Sequence, residues 1–361
     1  MRILVGIVFS INPELNTFYE ILNLLTIESI TFTTINMFNF VEPPNAYYDF
    51  ANIYTQEEWQ KKQAWFSSRI AALNSDVIGF QEVFSPEALE ILVNSLGYPY
   101  FCTVDTPKSE DGYVFHSPVV AFASRYPIVN SQPVIAEPTQ LARFGVEFEF
   151  NRVPVHASIE LPHLGITDCY VVHFKSQRPK DPIEKDGIEE PESTPLTQLH
   201  DEQLGSWLSS AQRGLEANIL HQYITTQRKK SSQPVVLMGD FNKPLFHDEF
   251  RGLLSHELRF DKFSTDYLTT FQLKDSWDIY RELTGTDLVE DRLNTHYYGA
   301  KGSVLDYILL SNEFDSSFSG NILEVRDYTV TNLHIVNPRF DIDQFSTDHA
   351  LVSITAHIRQ A

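Results

Sequence analysis

Short apolar runs that stop at chemically capable polar residues are the feature that most constrains this chain. Ser29–Asn36, Val77–Glu82, Val119–Ser124, His156–Leu161, Tyr170–Phe174, Pro234–Gly239, Val304–Leu310 and Leu351–His357 are rich in Val, Ile, Phe and Tyr and bounded by Gly, Pro, Asn or Asp. That length and composition predict β-strands. Two helices follow from three-to-four-residue periodicity. In Glu57–Leu73 the repeat is Trp59, Gln63, Phe66, Ile70 and Leu73; in Leu204–Gln227 it is Leu204, Leu208, Ala211, Leu215 and Ile219. Shorter helices are expected over Pro86–Ser95 and Asp275–Leu283. Many strands with helices interspersed point to one α/β or α+β unit, sheets packed together and helices outside.

Composition narrows the function. At 42% hydrophobic over 361 residues, the chain can bury a large core, which excludes bulk disorder. Two cysteines exclude a disulfide-dense scaffold and a Cys-based zinc cluster, and Cys102 and Cys169 are expected as free buried thiols. No apolar run approaches the ~18 residues of a membrane span, so no stable membrane insertion is expected. A net charge of −21 repels polyanions and excludes a basic nucleic-acid coat. It still admits an enzyme that meets phosphates through a cation, because the ion inverts the local field. Arg2 and the apolar run Ile3–Ile11 imitate a short signal, but no small-x-small cleavage site follows, so residues 1–28 read as an extension. Sparse cysteine favours the cytoplasm. Gln177–Asp201 holds four prolines, many acids and few apolar residues, and reads as a long exposed loop beside the strand ending at His173.

The polar residues at the strand ends are Asn36, Glu82, His173, Asp240, Asn242, Asp306, Asp348 and His349. If those ends share an edge, one pocket results. Glu82 and Asp348 are hard oxygen ligands and, with the Asn36 amide oxygen, suit Mg²⁺ or Mn²⁺. Asp240 is then free to orient or deprotonate water. Asn242 can hold a phosphate oxygen without charge repulsion. His349 paired with Asp306 has its cationic form stabilised, and His173 can serve from the other side. The inferred chemistry is metal-assisted attack of water on a phosphoester. Each residue alone has a blander explanation: Asp-Phe-Asn after a strand is often a turn, and a strand-end His is often structural. Asp306 inside an apolar run is harder to dismiss, since a buried carboxylate needs a partner.

The order of these motifs resembles the endonuclease/exonuclease/phosphatase superfamily from about Thr31 to Ile358. The matching segments are Thr34-Ile35-Asn36, Gln81-Glu82-Val83, Ser124-Arg125-Tyr126-Pro127-Ile128, Val172-His173-Phe174, Gly239-Asp240-Phe241-Asn242, Asp306-Tyr307-Ile308-Leu309 and Thr347-Asp348-His349. The resemblance implies a four-layer α/β sandwich, two mixed β-sheets face to face with helices outside. It implies a catalytic domain over 29–361 with an acidic insertion at about 177–203. It also implies Asn36, Glu82 and Asp348 around the divalent ion, Asp240 on the water, Asn242 and His173 on the phosphate, and His349 with Asp306 on the developing charge. Val304 stands where many members carry Arg, and Thr347 where Ser is common. Lys175-Ser176-Gln177-Arg178 and Gln212-Arg213 resemble the bacterial extracellular-nuclease-like subgroup, which makes Lys175, Arg178 and Arg213 candidate substrate contacts and allows a periplasmic or secreted enzyme. The expected substrate is nucleic acid gripped locally. The alternative is a phosphatase or a phospholipid phosphodiesterase, the latter needing an exposed aromatic wedge such as Tyr297-Tyr298 or the 43–50 loop.

Overall fold

The computed structural model describes residues 28–145, 147–180, 194–254, 258, 266–285 and 291–359. Two six-stranded mixed sheets lie at its centre. The first runs in the order β16 (Leu323–Thr331), β17 (Leu351–Ile358), β1 (Ser29–Phe40), β3 (Val77–Val83), β7 (Val119–Ser124) and β4 (Tyr100–Cys102). The second runs β12 (Lys274–Asp275), β15 (Asp306–Leu310), β11 (Val235–Asp240), β10 (Gly165–His173), β9 (Val155–Leu161) and β8 (Ile128–Pro133). Each sheet holds one parallel pair, β1 with β3 and β10 with β11. A small sheet of β2 (Ala46–Tyr47), β5 (Lys108–Glu110) and β6 (Val114–Ser117) and a hairpin of β13 (His296–Tyr298) and β14 (Lys301–Ser303) flank them.

Side-chain alternation builds the layers. Val236 and Met238 of β11 enter the cluster between the sheets, with Phe32, Val77, Phe122, Val171 and Ile308. Val235 and Leu237 face the other way, onto Ala217, Leu220 and Ile224 of α3 (Pro195–Ser231). The far face of the first sheet presents Ile35, Ile78 and Phe80 to Trp59, Phe66 and Ile70 of α1 (Gln56–Leu73) and to Leu89 and Val93 of α2 (Pro86–Ser95). Central strands covered on both faces therefore read as continuous apolar runs. The four layers match the fold expected from the sequence. Gly79 lets the sheets close: a methyl there would lie 2.7 Å from Met238 Sδ. Cys102 and Cys169 are both free thiols, as expected, but only Cys169 is buried; Cys102 is half-buried. Among the described residues no helix is long and apolar enough to cross a membrane.

Two readings need correction. Residues 195–201, expected in the exposed loop, are the first turns of α3; residues 181–193 of the insertion, like 1–27 of the extension, lie outside the described residues. Thr194 caps this helix by accepting from Thr197 N at 3.2 Å, and Pro195 occupies the first turn, where its missing N–H costs nothing. The buried stripe of α3 is also in a different phase. Leu204 and Leu208 are exposed, whereas Gly205, Ser209 and Arg213 are buried. Small residues win here because backbone packs against them. Lys180 N donates to Gly205 O at 3.0 Å, Ser209 Oγ donates to Arg178 O at 2.8 Å, and a methyl on Gly205 would overlap Lys180 O.

Candidate active site

The alternation that fills the core also makes the site. Along β1, β10, β11 and β15, the inward positions that carry Phe32, Val171, Met238 and Ile308 lower down carry Asn36, His173, Asp240 and Asp306 at one end. Register then sets His173 beside Asp240 and Asp240 beside Asp306 on adjacent strands. Within the first sheet Asn36 of β1 aligns with Gln81 of the adjacent β3, which brings Glu82 to the same crevice. Asp348 and His349 arrive on the segment entering β17. Glu82 and Asn242 both adopt left-handed backbone, φ 59 and 56. For residues other than glycine that conformation costs about 1–3 kcal/mol, and the surrounding structure has to enforce it.

Asp240 is the hub. Its Oδ2 accepts from Asn36 Nδ2 at 3.1 Å and lies 3.4 Å from His173 Nε2 and 3.7 Å from His349 Nε2. Its Oδ1 accepts from Asn242 N at 2.7 Å. His349 Nδ1 donates to Asp306 Oδ2 at 2.9 Å, which fixes its tautomer and turns Nε2 toward Asp240. Thr347 keeps the hydroxyl that the motif needs, accepting from His349 N at 3.1 Å.

Charge sorts these groups. Burial pushes the Asp240 carboxyl up, with Asp306 and Glu82 adding to the rise and cationic His349 opposing it. His349 is driven well above the ordinary histidine range: burial alone would lower it, but Asp306 and Asp240 overcome that. His173 goes the other way, held neutral by burial and by the charges of Arg152, His349 and Lys175. The site thus pairs a cationic His349 with a neutral His173 across one carboxylate.

The structure places the remaining predicted residues as follows. Asn36 turns its amide nitrogen, not its oxygen, toward the carboxylates: Nδ2 also donates to Glu82 Oε1 at 3.3 Å, while Oδ1 accepts from Phe38 N at 3.0 Å. In this arrangement Asn36 ties the Glu82 and Asp240 carboxylates together. Asn242 Nδ2 donates to Phe174 O at 2.9 Å, leaving its second N–H free to act. Lys175 Nζ donates to Arg178 O at 3.1 Å, and burial among cations lowers it to about 8. Arg213 is not at the surface. Its guanidinium donates to Lys175 O at 2.7 Å and to Ser210 Oγ and Glu249 Oε1, both at 3.1 Å, so it braces the turn after His173. Arg178 is exposed near Tyr48.

Sequence reasoning missed two cations. Arg152 bears on both His173 and Tyr48, and only its place just before β9 hinted at it. Lys62 is fully buried under the site, caged by Phe38, Tyr54 and Phe66 at 5.4–5.7 Å, its Nζ donating to Ser346 O at 3.3 Å. Burial lowers this ammonium to about 7, against the pull of Glu82 and Asp348. Periodicity pointed to Gln63 on that face, since a lysine is almost never buried unpaired.

The residues fit a divalent ion. Asp348 Oδ1 is buried with no hydrogen-bond partner among the described residues. Glu82 faces the same crevice, giving a hard-oxygen set of the kind Mg²⁺ or Mn²⁺ takes. Asp240, Asp306 and His349 also bring ligand atoms within 4.8 Å of one another.

Comparison with known proteins agrees with this geometry. A model of the Endonuclease/Exonuclease/phosphatase family matches residues 36–349, opening on Asn36 and closing on His349. The chain belongs to this family. Among solved structures, the human Nocturnin catalytic domain with bound sulfate superposes at TM-score 0.54 with 17% identity, covering 92% of this chain and 95% of that one. Humanized D. rerio TDP2 superposes at TM-score 0.51 with 14% identity, covering 91% and 99%. Among curated proteins none matches this sequence. Membership of the endonuclease/exonuclease/phosphatase family makes the chain a phosphoester hydrolase of the nuclease or phosphatase kind, with acidic and histidine groups placed to hold a divalent metal.

Proposed function

We propose that the protein is an Mg²⁺- or Mn²⁺-dependent phosphodiesterase that cuts nucleic acid gripped over a short stretch. The observation that carries this reading is the Asp240 hub, one carboxylate within 3.7 Å of two histidines, one cationic and one neutral. Asp240 Oδ2 accepts a proton from the attacking water. As the P–O ester bond breaks, His349, kept cationic by Asp306, donates to the departing oxygen. His173 and the free Asn242 N–H hold the non-bridging oxygens. Glu82 and Asp348 would hold the divalent ion, which when bound polarises the phosphoryl group.

A nuclease is favoured over a phosphatase by the fringe beside the site. A cleft of about 700 Å³ lies alongside Lys175, lined by Lys108, Phe148, Glu149, Asn151 and Lys180, with Arg152 and Arg178 nearby. Glu147 and Glu149 offset part of that charge, but on a chain of net charge −21 three lysines beside an aromatic ring suit a flanking phosphate and a base more than a lone monoester. The test is hydrolysis of plasmid DNA, single-stranded DNA, RNA, sphingomyelin, an inositol phosphate and bis-p-nitrophenyl phosphate, with Mg²⁺ or EDTA and Asp240→Asn as blank. Nucleic-acid cleavage lost with EDTA and in the blank is expected. Hydrolysis of only the lipid or the monoester would overturn the nuclease reading.

A further inference from the structure

The hairpin β13–β14 brings a residue to the crevice that neither the motifs nor the mechanism uses. His296 starts β13, and its neighbour Thr295 is anchored in the wall of the site. Thr295 O accepts from Ala350 N at 2.7 Å, and Thr295 Oγ1 accepts from Leu305 N at 2.9 Å and Asp306 N at 3.2 Å. The backbone of His296 bridges that of His349, and their rings lie 4.9 Å apart at 44°. One ligand atom each of His296, Asp348 and His349 lies within 4.8 Å of the others. In that group the Asp348 Oδ1 is the buried atom without a hydrogen-bond partner, and the imidazole of His296 has no hydrogen bond to any described residue.

We propose that His296 donates an imidazole nitrogen to the divalent ion held by Asp348, so that the site is a mixed oxygen–nitrogen centre that prefers a first-row transition ion to Mg²⁺. The inference rests on Asp348 being a metal ligand, as the proposed function requires. Two donors on one ion at about 2.1 Å stand no more than about 4.2 Å apart, so the His296 and Asp348 atoms, already within 4.8 Å, need only a small closure around a cation. An imidazole adds little for Mg²⁺, which demands oxygen and keeps its waters, and much for ions such as Co²⁺ or Zn²⁺.

The experiment uses the full chain and two metal probes. Calorimetric titration with Co²⁺ and with Mg²⁺ compares wild type, His296→Phe and His296→Gln; electron spin-echo spectra of the Mn²⁺-loaded proteins read nitrogen coordination directly. The expected result is a Co²⁺ affinity about tenfold weaker in both variants, Mg²⁺ affinity within twofold, and loss of the histidine-nitrogen modulation attributable to His296. Equal changes for both ions, no change for either, or a modulation unaltered by His296→Phe would overturn the proposal. His296→Gln keeps a polar side chain if the phenylalanine variant folds poorly, and the absence of nitrogen modulation in wild type overturns the proposal without any variant. Asp348→Asn separates the two levels. If it leaves Mg²⁺ binding intact, the parent metal assignment fails; if it abolishes binding of both ions while the His296 variants bind normally, only the nitrogen donor fails.

Discussion

Among the described residues, two buried histidines hydrogen-bond to aspartates of the second sheet, and only one of them belongs to the site. His349 donates to Asp306 at 2.9 Å, and its other nitrogen faces a second carboxylate in the crevice. His156 meets Asp168 at 2.8 Å, a shorter contact, yet its Nδ1 is engaged by Gln132 Nε2 and Tyr223 Oη, both at 3.2 Å, and its ring stacks on Tyr170 at 4.5 Å. A histidine with both nitrogens engaged is a strut. One with a single nitrogen braced and the other turned to an open crevice can move a proton. The pair alone therefore carries no chemistry; what its free nitrogen faces decides.

Substitutions can break that comparison. The largest effect is expected at the shared carboxylate: Asp240→Asn should lower turnover about a thousandfold or more, measured under saturating Mg²⁺ with the fold checked by circular dichroism. Next, His349→Gln should cost about a hundredfold in kcat and little in Tm, whereas His156→Gln should leave kcat within threefold and lower stability by about 1–3 kcal/mol in urea unfolding. Equal activity losses in the two variants would erase the distinction. A third test concerns the caged lysine. The unfolded chain keeps the Lys62 proton up to about pH 10, the folded one only to about 7, so between these values the unfolded state binds more protons and stability rises with pH. The Lys62→Met protein, metal-free, should show a flatter rise between pH 7 and 9.5. The smallest effect is expected at the fringe: Arg152→Ala should raise KM for a polynucleotide about two- to fivefold, with a shallower salt dependence and an unchanged KM for bis-p-nitrophenyl phosphate.

What could be read from the sequence follows a physical division. Strands β1, β3, β10, β11, β15 and β17 were legible because both faces are buried, and the chemistry at their ends was legible because Asp306 within an apolar run demands a partner. The small edge strands were not, since β5 and β8 are largely exposed and carry little apolar pattern. On α3, glycine and serine at the contact face defeated a rule that looks for large apolar residues. The same rule passed over Lys62, whose burial depends on three aromatic rings contributed by β1, α1 and the segment just before α1. The amide orientation of Asn36 and the bracing role of Arg213 depend on backbone partners that no motif records.

Strand β1 lies between β3, which follows it closely in the chain, and β17, which pairs with it from Ser29↔His357 to Thr34↔Val352. During synthesis the first half of the site, Asn36 with Glu82, emerges long before Asp348, His349 and the strand that clamps β1. A nascent polypeptide that has not yet released Ile358 therefore holds an open sheet edge and lacks Asp348 and His349 in place. Under the proposed mechanism such a chain cannot complete hydrolysis, so closing the sheet with its last strand and completing the site are one event.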